Sequence, residues 1–384
     1  MARDRPPLRL PRVRRPPLEP LELYTAKSGD EIIDQLYNFT DKGDRSVALC
    51  PEMTPTLARL VAAPERQYKK PIKWFSIPQL FRYERQQKGR LREHFQFNAD
   101  LFGESDPAAD AELISLLIDS LRAFGLTSHD FVIRLSSRNA WQEFFVKRCR
   151  DSAKAGEFYQ IIDKLEREEP AKSNARLAAL GFSLTEVADF IKAGQPSAEL
   201  NSILHNLALR GLSDFVKVDY NVIRGLAYYT GVVFEAFDKK GAFRAIAGGG
   251  RYDHLVRVIS GGKVDLPGLG FGMSDVVLAE LLKERGLLPQ CEARLDAFCL
   301  IEDETLRGDS LSLIQSLREA GYVVDYPLVP AKADKQFKRA LEAKASYTIK
   351  LERAPAGEIV VKFKNLRTRE EKVVNPENVA GEMA

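Results

Sequence analysis

The sequence predicts an α+β protein: a domain built on an antiparallel sheet and carrying a helical insertion, then a smaller α/β domain. Three observations predict it. "KWFSIPQLFRYER" and "REHFQFNADLFG" read as two strands joined at "QQKG", an antiparallel hairpin. Residues 139–206 have helical patterning and more charge, with breaks at "REEPAKSN" and "AGQPSAE". After residue 295, strand-like segments alternate with helical ones, as in an α/β unit.

Along the chain, residues 1–20 come first, with six Arg and six Pro. Proline at this density forms no helix, and the lack of an apolar core excludes a secretory signal, so a disordered leader is expected. "LYNFTD" and "SVALC" read as strands around the turn "KGDR". "TPTLARLVAA" reads as a helix with Thr54 as N-cap and Pro55 in the first turn. "DPAADAELISLLIDSLRAFG" is an amphipathic helix closed by Gly125, and "DFVIRLSS" is a strand. After the insertion, the stretch from "FVKVDY" to "RYDHLV" returns to strands, with turns expected at "KKG" and "GGG". "PGLGFGMSDVVLAELLKERG" is a glycine-rich strand running into a helix. "LPQCEAR" reads as a linker between a domain over 21–290 and one over 295–384.

Composition narrows the function classes. Apolar residues make up 45% and charged residues 29%, ordinary for a globular chain, and no apolar run approaches the ~20 residues of a membrane span. Cys50, Cys149, Cys291 and Cys299 form no CxxC pair, so neither a zinc site nor a disulfide framework is expected, and a cytoplasmic setting follows. His129, His205 and His254 stand at no metal spacing. A net charge of +3 is too small for a chain that grips nucleic acid with its whole surface.

The chemistry concentrates in one hairpin. Arg82 to Arg92 holds five basic residues against one acid, Glu84. Arg85, Lys88 and Arg90 at its tip suit a polyphosphate, which guanidinium groups bind in bidentate fashion. On the returning strand Gln96, Asn98 and Asp100 share a parity and therefore a face. Amides and a carboxylate there suit a zwitterionic or cationic small molecule. "GGGRYD" and "GLGFGM" have neither dinucleotide nor Walker spacing.

Taken with "CPEMTPTLAR", "RGLAYYTG" and "GGGRYDHL", this hairpin resembles the histidyl-tRNA synthetase family of class II aminoacyl-tRNA synthetases. "FRYERQQKGRLREHFQFNAD" looks like motif 2, "PEMT" like the amino-acid-binding loop, and the other two like the histidine signatures. The resemblance runs from about Leu21 to the C-terminus. It implies a class II catalytic core with a C-terminal anticodon-binding domain, and ligation of histidine to tRNA(His). ATP with Mg²⁺ would be consumed, and the enzyme would work as a homodimer. By position in the motifs, Arg82 and Arg224 would hold the α-phosphate. Glu52 and Thr54 would bind the ammonium of histidine. Gln96, Asp100, Tyr228, Tyr229, Tyr252, Gly249 and Gly250 would form the histidine pocket, the glycines admitting close backbone approach. Glu84, Arg90, His94, Phe95, Arg251, Gly270 and Gly272 would serve ATP.

The chain departs from the family pattern at named places. The motif 1 helix, which builds the family's dimer interface, is expected upstream of "PPLEPLEL", where the Pro/Arg leader stands. Cys50 occupies a position usually arginine, and Ala227 one usually aspartate. Val277 stands where an arginine usually binds the γ-phosphate, leaving Arg90 or Arg251 to hold the ATP tail. His94 stands where a phenylalanine usually stacks on adenine, a face that His94 or Phe95 would supply. Two other readings remain open: a histidine-binding paralogue like the regulatory subunit of ATP phosphoribosyltransferase, and an inactive truncated synthetase. Retention of Arg224 and of the C-terminal domain speaks against the paralogue. Lys332 to Arg353 carries seven basic against three acidic residues, a local excess that suits RNA phosphates.

Overall fold

The structure, a computed structural model, describes residues 10–28, 35–83, 89, 91–165, 168–224, 228–289 and 295–383. Glu84, Arg85, Lys88, Arg90, Ala227 and Cys291 lie outside them. The chain divides into two compact units, 1–288 and 289–384.

The first unit opens with β1 (Leu18–Pro20), α1 (Glu22–Ser28), β2 (Asn38–Thr40) and β3 (Ser46–Leu49), with β3 pairing antiparallel to both other strands. Residues 10–20 of the expected leader are built into the fold. Val13 donates its backbone N–H to the Phe75 carbonyl, and Leu10 and Val13 pack against the core. Glu19 is buried and pairs with Arg59 at 2.8 Å. Proline excludes helix here but suits an edge strand and extended chain, which is how the segment is used.

The central sheet has the order β4 (Ile72–Ser76), β6 (Glu93–Phe102), β11 (Gly268–Ser274), β10 (Ala247–Arg251), β9 (Val232–Asp238), β7 (Phe131–Ser137), β8 (Val216–Val218), with β5 (Gln79–Phe81) also on β6. Every pairing is antiparallel except β7 with β8. One face packs on α3 (Pro107–Arg122), the insertion helices α4 (Arg138–Val146), α5 (Ala155–Lys164), α6 (Pro170–Ala179), α7 (Leu184–Ala193) and α8 (Ala198–Leu209), and α10 (Asp275–Glu284). The other packs on α2 (Thr54–Ala62) and α9 (Leu255–Ile259).

Local chemistry explains most boundaries. Asp106 caps α3 by accepting the Ala108 N–H, and Gly125 takes a positive φ of 85° just beyond its end. Ser183 and Glu186 form a capping box on α7. Thr54 is not a cap: it is the first residue of α2, Met53 holds the N-cap position, and no side chain caps the helix. The "GGG" turn is also absent. Gly248, Gly249 and Gly250 are buried in β10, extended between two partner strands.

The second unit holds β12 (Ala297–Leu300), α11 (Arg307–Glu319), β13 (Val324–Asp325), α12 (Ala333–Glu342), β14 (Tyr347–Arg353), β15 (Ile359–Asn365), β16 (Glu371–Val374) and α13 (Val379–Met383). β12 runs parallel to β13 and β14, while β14, β15 and β16 pair antiparallel. Gln336 on α12 is buried and bonds both backbone groups of Ile301, fixing the helix to the sheet.

Candidate functional site

The register of three central strands builds the site. Gly248 lies opposite Gly272, and Gly250 opposite Gly270, on neighbouring strands. These four glycines share one face, so two central strands present bare backbone there. Side chains from elsewhere lie against this floor. A Cβ on Gly248 would overlap the Arg224 guanidinium, and one on Gly270 the Asp100 carboxylate. One on Gly272 would come within 2.6 Å of Gln96, and one on Gly250 within 3.0 Å of Tyr229. Beside the floor, a Cβ on Gly268 would meet Tyr252 at 2.5 Å. Glycine is required because the neighbouring side chains fill the space.

Two carboxylates are held by tyrosines in this layer. Tyr252 donates to Asp100 Oδ1 at 2.5 Å, and Tyr228 donates to Glu52 Oε2 at 2.9 Å. Tyr228 sits between the other two rings, 4.9 Å from Tyr229 and 6.0 Å from Tyr252. Burial pushes the Asp100 carboxyl up to about 7 against the pull of the Tyr252 hydrogen bond, and among the described residues its Oδ2 has no partner. Burial likewise raises both Tyr228 and Tyr252, so each hydroxyl keeps its proton and donates. Thr54 opens α2 two residues after Glu52, half-buried.

Adjoining the layer is a cavity of about 580 Å³, lined by Arg82, His94, Gln96, Arg224 and Val277, with Arg134, Asp163, Glu235, Phe243 and Arg244 among its other walls. Arg224 enters it from a backbone with φ of 53°, bonds Glu235 at 3.1 Å, and lies 5.4 Å from the Tyr229 ring centre. Burial opposes its charge, but the Glu235 and Asp163 carboxylates favour the cation. Arg82 is steadied by the Pro51 carbonyl, 3.1 Å from its Nε. Burial, then Arg82, pushes His94 down to about 4, so its ring is neutral near pH 7.

Several expected residues stand elsewhere. Phe95 has the opposite parity to His94, does not line the cavity and is 48% exposed. Arg251 is buried away from the cavity. It bonds Asp110 through Nε and Nη2, and the Glu104 and Asp106 carbonyls through its terminal nitrogens. These bonds tie it to the start of α3. Gly270 and Gly272 lie against Asp100 and Gln96, and Gly249 faces Phe234 and Phe271 in the core. Glu84 and Arg90 lie outside the described residues. His129, His205 and His254 are exposed.

The sequence reading does not single out Gly248, Arg134, Asp163, Glu235 or Arg244 as site residues. Glu235 carried a visible signal, a carboxylate inside the otherwise apolar strand "VVFEAF". Arg134, Asp163 and Arg244 had none, because each looks like an ordinary polar position until the chain folds.

The comparisons with known proteins agree with this geometry. A family model described as histidyl-tRNA synthetase matches residues 11–275. The histidine–tRNA ligase of Opitutus terrae is 45% identical over 386 residues, covering 95% of this chain and 88% of that protein. The chloroplastic/mitochondrial histidine–tRNA ligase of Arabidopsis thaliana is 40% identical, covering 86% of this chain and 71% of its own length. A solved histidyl-tRNA synthetase from Nostoc sp. PCC 7120 superposes with a TM-score of 0.75 at 22% identity, over 97% of this chain and 91% of that one. That last likeness is one of fold.

Proposed function

The chain belongs to the histidyl-tRNA synthetase family, and from that premise we propose how it works as a histidine–tRNA ligase. Histidine is activated first. A carboxylate oxygen of histidine bonds to the α-phosphorus of ATP, and the bond from that phosphorus to the bridging oxygen breaks. Pyrophosphate leaves with the electron pair. The hydroxyl of the 3′-terminal ribose of tRNA(His) then attacks the histidyl carbonyl and AMP leaves.

The observation that carries this reading is the junction of two environments. Arg82 and Arg224 line the same cavity as Gln96, and Arg224 reaches over the glycine floor that also holds Asp100. Two fixed cations suit the charge that grows on the α-phosphate, and fixing them beside the amino acid removes the cost of aligning reactants. The buried Asp100 carboxyl, its Oδ2 unpartnered among the described residues, suits a ring N–H of histidine. Glu52, held by Tyr228, suits the ammonium, with Thr54 beside it. The neutral His94 ring suits adenine. Arg134 and Arg244 on the cavity wall supply cations for the ATP tail where Val277 supplies none.

Mg²⁺ enters with ATP. The ion is carried by the phosphates, as is usual for Mg²⁺. Exposed Lys332, Lys335, Lys338, Arg339 and Lys344 along α12 suit the tRNA backbone. The family resemblance supports a homodimer. Among the described residues no helix is long and apolar enough to cross a membrane, and we assign the enzyme to the cytoplasm.

Charging of tRNA with each of the twenty labelled amino acids tests the proposal. Histidine alone should be attached, because a site that hydrogen-bonds both ring and ammonium rejects analogues lacking them by large factors. Failure to charge any tRNA(His), with histidine still bound, would favour the non-catalytic paralogue.

A further inference from the structure

We propose that Arg138 is a positioning residue for histidine activation, acting through Arg224 by clamping the segment that carries it. The role in activation rests on the function proposed above; the clamp itself does not.

Arg138 is the first residue of α4, directly after Ser137, whose side chain caps that helix. Its guanidinium is buried, and among the described residues each of its nitrogens bonds one segment. Nη2 donates to the Arg224 carbonyl at 2.6 Å, Nη1 to the Tyr229 carbonyl at 3.3 Å and Nε to the Ile223 carbonyl at 3.3 Å. The Arg138 backbone N–H donates to the Gly231 carbonyl at 2.9 Å. One turn later, Trp141 Nε1 donates to the Tyr220 carbonyl at 3.1 Å. The start of one helix thus holds five carbonyls between residues 220 and 231.

That segment needs holding. Arg224 sits at φ 53°, a region that disfavours any residue with a Cβ, and from there its side chain must reach across Gly248 to Glu235. Fixing its own carbonyl and its neighbour's fixes the direction in which the side chain leaves the backbone. A planar guanidinium can serve three carbonyls at once, and a lysine ammonium cannot copy that fork. The same guanidinium lies 5.0 Å from the ring centre of Tyr159 on α5, whose hydroxyl donates to Gln142 on α4. Four residues on, Asp163 lines the cavity. Arg138 therefore ties the helical insertion and the Arg224 segment to one point.

The test uses the full chain with Arg138→Ala and Arg138→Lys. Histidine-dependent pyrophosphate exchange should show kcat falling by more than about tenfold for the alanine variant, with lysine intermediate and the KM for histidine within about threefold of wild type. Hydrogen exchange should be faster at the amides of residues 220–224 and 228–231, with β6 and β11 still protected. Unchanged exchange in that segment overturns the clamp. Equal losses in kcat and histidine affinity, with protection lost throughout, make Arg138 a plain stability residue and also overturn it. A wild-type enzyme that exchanges no pyrophosphate refutes the function, while the hydrogen-exchange arm still decides the clamp.

Discussion

The guanidinium of Arg224 lies against Gly248, in the volume a Cβ would fill. Neither residue is free to change without the other. Gly248→Ala should push Arg224 out of place and cost about 10²–10³-fold in the rate of histidine activation, the range for losing one preorganised charge-stabilising donor. Arg224→Ala should do the same, and histidine binding measured by calorimetry should survive both. A Gly248→Ala enzyme with a near wild-type rate would show that this contact does not matter.

Tyr228 keeps Glu52 aimed into the site. Tyr228→Phe removes that donor and little else, so it should weaken histidine binding about tenfold, the scale of a hydrogen bond to a charged group. Titration calorimetry with histidine reads it directly. An unchanged Kd would mean that Glu52 is oriented without the tyrosine.

Arg251 and Asp110 form a buried ion pair, with Arg251 Nη2 2.6 Å from Asp110 Oδ2. Arg251→Ala strands the carboxylate, which typically costs about 3–5 kcal/mol. Denaturant unfolding should show that loss, and the KM for ATP should stay within about twofold of wild type in whatever enzyme remains folded. A raised KM for ATP with undiminished stability would return Arg251 to the nucleotide.

Asp100 makes stability depend on pH. Burial holds it protonated up to about pH 7 in the folded protein, whereas an unfolded aspartate ionises near ~4. Between those values the folded state carries a proton the unfolded state has released, so stability falls as pH rises from about 4 to about 7. Asp100→Asn should flatten that part of the profile. Melting temperatures at pH 4.5 and 7.5 should fall by at least about 3 °C more in wild type than in the variant. Equal slopes would place the titration elsewhere.

The strand from Glu93 to Phe102 was legible because alternation is local: parity alone puts Gln96, Asn98 and Asp100 on one face. The insertion helices were legible from their periodicity. What could not be read is what depends on register between distant strands. "GGG" looks like a turn in isolation, and only the pairing of Gly248 with Gly272 and Gly250 with Gly270 makes it a floor. Arg251 sits in a signature beside Tyr252, yet alternation sends the two side chains to opposite faces, one to Asp110 and one to Asp100. Arg138 looked like the polar start of a helix. Among the described residues its guanidinium nitrogens donate to three carbonyls, which leave no mark in a sequence.

The central claim is that these residues activate histidine despite Cys50, His94, Ala227 and Val277. Histidine-dependent exchange of labelled pyrophosphate into ATP, run with Mg²⁺ on the wild-type chain, tests it most directly. Exchange with histidine and with no other amino acid is the predicted result. No exchange, from a folded protein that still binds histidine, would contradict the account.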